Sequence, residues 1–197
     1  MSKEIRCFSH KLDVEQRDDG TSSLVGYAAV FNSPSVEMGW IDTFTESIVP
    51  GAFSRSLREN QDVRALLDHQ TGMIIARTKN GTLTLEEDEV GLKVRMTPVP
   101  TEDGKKAVEW VRSGLVDAMS FGFESISDKW GVRNGKQHRQ LLDVNLFEVS
   151  LVAFPAYPAT SIGVRSAQAT WSERCKQEQE QRSNMDKFRR RLRLISL

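Results

Sequence analysis

The chain has 197 residues and a mass of 22.3 kDa, with 39% hydrophobic and 27% charged residues, proportions that exclude a disordered or fibrous protein and fit one domain with room for a tail. Its 27 basic and 27 acidic residues cancel, which excludes a global cationic field for nucleic acid. No apolar run approaches the ~18 residues of a membrane-spanning helix, and the opening residues lack the apolar core of a signal peptide. Cys7 and Cys175 stand near opposite ends with no Cys or His motif beside them. Neither a disulfide framework nor a zinc site is expected, and a reducing, cytoplasmic setting fits.

In chain order, His10 sits on a polar N-terminal strand. Residues 24–31 form an apolar run of strand character, stopped by Asn32-Ser33-Pro34-Ser35. Residues 50–58 predict a short helix with Ala52, Phe53 and Leu57 on one face. A short apolar strand at 63–67 leads into Asp68-His69. Segments 73–78 and 82–86 read as two strands across an Asn80-Gly81 turn, and 91–96 alternates with the period of a half-buried strand. A helix opens at Thr101, carries Glu102 and Asp103 where the helix dipole favours them, and stops at Gly114. Strands at 119–123 and 145–154 complete a β-rich α+β pattern, a barrel or sandwich with helices outside.

Composition shifts near Ser166. Residues 1–165 carry 19 basic and 23 acidic side chains, whereas residues 166–197 carry 8 and 4. The latter read as a helical or partly ordered basic tail, either simply solvated or a contact for assembly or nucleic acid.

Three histidines make the search for a nucleophile and base short. His10 and His138 lie in polar stretches and read as exposed bystanders, whereas His69 ends an apolar strand at a turn, where a scaffold can present a side chain. In Ala118-Met119-Ser120-Phe121-Gly122-Phe123, alternation puts Met119, Phe121 and Phe123 on one face and Ser120 on the other between two very small residues. Such a face either leaves room for a substrate carbonyl above the hydroxyl or packs too closely for anything larger. Glu148 is a carboxylate inside an apolar strand, costly to bury without a partner. A histidine to orient or an arginine to pair with would satisfy it. Asp117 and Asp143 remain competitors for the carboxylate role, and Ser150, on the face of Glu148, is a rival nucleophile. Asp68 is excluded by strand alternation. The chain has no G-x-S-x-G elbow, H-E-x-x-H or P-loop.

From Gly26 to Arg165, about 70% of the chain, the sequence resembles the prohead maturation proteases of tailed bacteriophages. The resemblance rests on Gly26-Tyr27-Ala28-Ala29-Val30-Phe31-Asn32, Ile48-Val49-Pro50-Gly51-Ala52-Phe53, Leu67-Asp68-His69, Met119-Ser120-Phe121-Gly122-Phe123, Glu148-Val149-Ser150-Leu151-Val152 and Pro155-Ala156-Tyr157-Pro158-Ala159-Thr160, in that order. It implies an assemblin-like β-barrel with peripheral helices over residues 1–165, followed by the helical or flexible tail 166–197.

The resemblance also implies a serine endopeptidase with His69 as general base, Ser120 as nucleophile and Glu148 in the third place, where assemblins carry a second histidine. Oxyanion donors would lie around Ala156-Tyr157. The implied substrates are the scaffold portion of the major capsid protein and the protease itself, inside the procapsid in the host cytoplasm. A homodimer is conceivable by the same analogy, with no cofactor, metal, membrane or direct nucleic-acid role. The tail would be a self-cleaved segment or an assembly contact. The competing reading is a non-catalytic capsid-assembly module of the same fold, and an esterase using Ser120 is disfavoured by the missing elbow.

Overall fold

The structure, a computed structural model, describes residues 3–9, 12–16, 20–39, 43–59 and 62–153. The expectations for His10, Cys175, the 155–160 motif with its oxyanion donors, and the tail 166–197 lie outside these residues.

Among the described residues ten strands and two α-helices are formed: β1 (Glu4–Ser9), β2 (Asp13–Gln16), β3 (Ser22–Val30), β4 (Phe44–Ile48), α1 (Ser54–Arg58), β5 (Arg64–Leu67), β6 (Ile74–Arg77), β7 (Leu83–Glu87), β8 (Gly91–Met96), α2 (Glu102–Arg112), β9 (Ala118–Arg133) and β10 (Lys136–Val152). One sheet runs β1-β9-β10-β5-β6, with β4 also on β10; the other runs β2-β3-β8-β7. Among the described residues the pairing gives these two sheets and no closed barrel.

The predicted strands and both helices are present. Thr101 caps α2 by accepting from the Gly104 N–H at 3.2 Å, and Gly114 follows the helix at φ 72°. The Asn80-Gly81 expectation is corrected, however. β6 and β7 flank that turn but belong to different sheets, β6 on β5 and β7 on β8. A short 3-10 turn at Thr78–Asn80 redirects the chain between them. The 119–123 and 145–154 strands are the buried ends of a hairpin of 16- and 17-residue strands. Its outer half is polar, so no apolar alternation marks it; Asn134 and Gly135, at φ 52° and 76°, make the turn.

The inward face of β9 supplies Met119, Phe121 and Phe123, all fully buried. Phe121 meets Phe53, just before α1, edge-on at 5.3 Å and stacks on Phe123 at 4.9 Å. Burying rings of this size stabilises by roughly 1.5–3 kcal/mol each. The packing fixes the height and rotation of β9, and therefore of Ser120 on its opposite face.

At the far end of this core lies a buried ionic cluster. Arg139, 1% exposed, donates to Glu4 at 2.7 Å, Glu46 at 2.9 Å and Asp128 at 2.8 Å. Arg6 donates to Glu46 at 2.6 Å and Glu4 at 2.7 Å. Buried charges persist only when paired in this way. The cluster ties β1 to β4, β9 and β10.

Candidate active site

His69 owes its position to a tight turn. β5 ends at Leu67, and Asp68 and His69 both adopt left-handed backbone, φ 46° and 60°, while Gln70 N–H donates to the Leu67 carbonyl at 2.9 Å. Positive φ at both central residues is type I′ geometry. Left-handed backbone costs a non-glycine residue on the order of 1–3 kcal/mol, and Asp and His tolerate it better than most. The Asp68 N–H donates to the Leu151 carbonyl at 2.9 Å, and its carboxylate accepts from the Ala153 N–H at 3.1 Å. Asp68 is thereby engaged at the end of β10 and makes no hydrogen bond to the imidazole. The exclusion drawn from alternation holds, but the turn is its cause.

Glu148 reaches the imidazole because β10 is irregular there. Leu146 pairs with Phe123 and Glu148 with Gly122, leaving Phe147 as an extra residue. Strict alternation would put Glu148 on the face of Leu146, in the apolar core. The bulge turns it onto the opposite face, with Ser150, Ser120 and Gly122. There Glu148 Oε1 lies 2.7 Å from His69 Nδ1, and Oε2 accepts from the Ser150 hydroxyl at 2.6 Å. Lys3 Nζ stands 3.3 Å from Oε1. Glu148 is only 3% exposed; burial works against its ionisation, but His69, Ser150 and Lys3 together bring its pKa below the ordinary value.

The imidazole responds in the other sense. Burial opposes its protonation, yet hydrogen bonding and charge from Cys7 and Glu148 outweigh burial and push its pKa up to about 9. A histidine in this state is an imidazolium at neutral pH. A raised folded-state pKa stabilises the fold fully below the ordinary value of 6.5, and this contribution is lost as pH rises through about 9. We expect the melting temperature to fall across that interval, and Glu148→Gln to flatten the fall; pH-dependent thermal denaturation of both proteins checks this.

Ser120 lies on the neighbouring strand, paired with Ser150 on one side and Cys7 on the other. It is fully buried, and its hydroxyl donates to the Arg6 carbonyl of β1 at 2.8 Å. His69 Nε2 is buried and has no hydrogen-bond partner among the described residues. The structure therefore brings His69 and Glu148 into direct contact and sets Ser120 on the same sheet face, engaged with β1 instead of the imidazole.

Gly122 makes the carboxylate's placement possible. A Cβ there would stand inside contact distance of Glu148 Oε1 and 2.7 Å from Lys3 Cε. Gly122→Ala is expected to push the carboxylate off His69 and lower turnover about 100-fold, the scale of an ångström-sized misplacement. Overpacking adds a stability loss of ~1–3 kcal/mol. Kinetics and thermal denaturation of the one variant measure both.

The remaining candidates separate. His138 is not the exposed bystander its polar surroundings suggest. It is 6% exposed, with Nδ1 2.7 Å from Thr45 Oγ1 and Nε2 2.9 Å from Ser47 Oγ, and burial lowers its pKa. The parallel pairing of β4 with β10 brings those hydroxyls to it. Asp143 pairs with Arg55 at 2.8 Å, and Asp117 is exposed. Ser150 donates to Glu148 and so holds the carboxylate. Sequence reasoning passed over Cys7 and Lys3 because it gave β1 no place in the fold; their alternation on a polar strand was the available signal.

A family model described as caudovirus prohead serine protease matches residues 10–174. The chain belongs to this family. The solved structure of the bacteriophage T4 capsid assembly protease, gp21, is similar in fold, with a TM-score of 0.52 over 77% of this chain and 97% of that one at 10% identity. No curated protein sequence matches at a significant level. Membership makes the chain a serine protease of capsid maturation in bacteriophage, and β1 lies just ahead of the matched residues.

Proposed function

We propose that this prohead protease cleaves the scaffold portion of its phage's major capsid protein, and then itself, using Ser120 as nucleophile, His69 as general base and Glu148 to orient and charge-stabilise the imidazole. The observation that carries the reading is the 2.7 Å contact between His69 Nδ1 and a buried Glu148, on the sheet face that also bears Ser120. With Nδ1 held by the carboxylate, Nε2 is the nitrogen left to take the serine proton. The serine oxygen attacks the peptide carbonyl, the imidazolium returns the proton to the leaving amine, and water resolves the acyl-enzyme with His69 again as base. Membership in a capsid-maturation family supports the interior of the procapsid as the setting.

A non-catalytic assembly module draws support from one observation, the engagement of the buried Ser120 hydroxyl by the Arg6 carbonyl. Co-expression with the cognate coat protein followed by intact-mass analysis separates the two. Discrete coat-protein fragments and a shortened protease are expected. Uncut coat protein and an uncut protease in fully assembled particles would favour the module.

A further inference from the structure

β1, together with Lys3 just before it, touches every member of the proposed triad. It lies antiparallel along β9, with Ile5 opposite Gly122 and Cys7 opposite Ser120. Its alternating side chains divide cleanly. Glu4 and Arg6 enter the buried ionic cluster, while Lys3 and Cys7 face the site. Lys3 Nζ sits 3.3 Å from Glu148 Oε1, the oxygen that also contacts His69. The Arg6 carbonyl takes the Ser120 hydroxyl at 2.8 Å. The Cys7 thiol lies against the imidazole and favours its charged form. Each contact opposes the proposed reaction. An ammonium on Glu148 competes with the imidazolium for its charge, a serine proton given to a backbone carbonyl is turned away from the base, and a protonated base cannot accept it.

We propose that β1 is an autoinhibitory strand that holds the three triad side chains in a latent arrangement and must leave the edge of β9 before Ser120 can engage His69. The strand is built to leave without breaking what it leaves behind. It contributes one charge of each sign to the cluster, Glu4 and Arg6, so its withdrawal leaves the cluster's net charge unchanged. Arg139 then keeps Glu46 at 2.9 Å and Asp128 at 2.8 Å. No side chain of the triad comes from β1, and none is lost with it.

The inference rests on the proposed triad, and its test separates the two. The rate at which a fluorophosphonate modifies Ser120, located by peptide mapping, is measured for the full chain and for two variants outside the triad. Lys3→Glu sets a second carboxylate against Glu148 and is expected to loosen β1, raising the rate about tenfold, the scale on which losing a charge-assisted contact shifts a two-state population. Cys7→Asp places a carboxylate beside the imidazolium, tightens the strand and is expected to slow modification. Lys3 is 42% exposed at its side chain, so the first variant leaves the core intact, and a melting curve verifies this. Equal rates at Ser120 in all three proteins would overturn the latch and leave the triad standing. Modification of none of them at Ser120 would overturn both.

Discussion

Ser120→Ala is expected to lower cleavage of the coat protein by roughly 10⁶-fold, the scale on which removing the serine of a catalytic triad acts. The magnitude follows from the division of labour on this sheet face. In the proposed triad His69 and Glu148 have no covalent role, so without the hydroxyl they would have nothing to activate. The fold should tolerate the change. Ser120 sits between Ala118 and Gly122, and its Phe121 neighbour packs on the far face of β9. The loss is one hydrogen bond, leaving the buried Arg6 carbonyl without the hydroxyl, a cost of ~1–3 kcal/mol. Turnover collapsing while the melting temperature shifts by a few degrees is the expected pair of results. A loss of turnover only in proportion to unfolding would give Ser120 a structural role.

Glu148→Gln is expected to lower turnover about 10⁴-fold with the backbone unchanged, the scale seen when an amide replaces a triad carboxylate. The amide keeps the volume and can still accept from Ser150. It cannot offset the charge of the imidazolium that forms as Ser120 gives up its proton, and it can settle with its NH₂ toward Nδ1, which imposes the wrong tautomer. Because Glu148 helps raise the imidazole pKa to about 9, the substitution should also lower that pKa, an effect readable from the His69 ring protons by NMR. A drop in turnover with no change in the imidazole titration would place Glu148 outside the triad.

Much of this arrangement was legible in the sequence, for reasons that differ by residue. The apolar alternation of 119–123 assigned Ser120 to the face opposite Phe121 and Phe123 correctly, because a strand with one aromatic face has only one way to lie on a core. His69 was marked by its place after an apolar strand, although the strained turn that aims it was not visible there. The pairing of Glu148 with His69 depends on a bulge at Phe147 that regular alternation does not encode. Read regularly, the strand places Glu148 with Leu146, and only cost-of-burial reasoning pointed to a partner. The ionic cluster around Arg139 escaped notice because its members come from four separate strands in polar contexts, where neither periodicity nor spacing signals burial. The same polarity left the N-terminal strand without a place on the edge of β9, and with it the contacts that occupy the site went unread. The barrel implied by resemblance is not closed among the described residues, where β6 and β7 pair in different sheets on either side of Gly81.

The most direct measurement is to react the protein exhaustively with a fluorophosphonate and identify the modified residue by peptide mapping, alongside His69→Ala. A single adduct on Ser120, formed far more slowly in the His69 variant, is the predicted result. An adduct on Ser150, or one on Ser120 that forms at the same rate without the imidazole, would contradict the proposed triad.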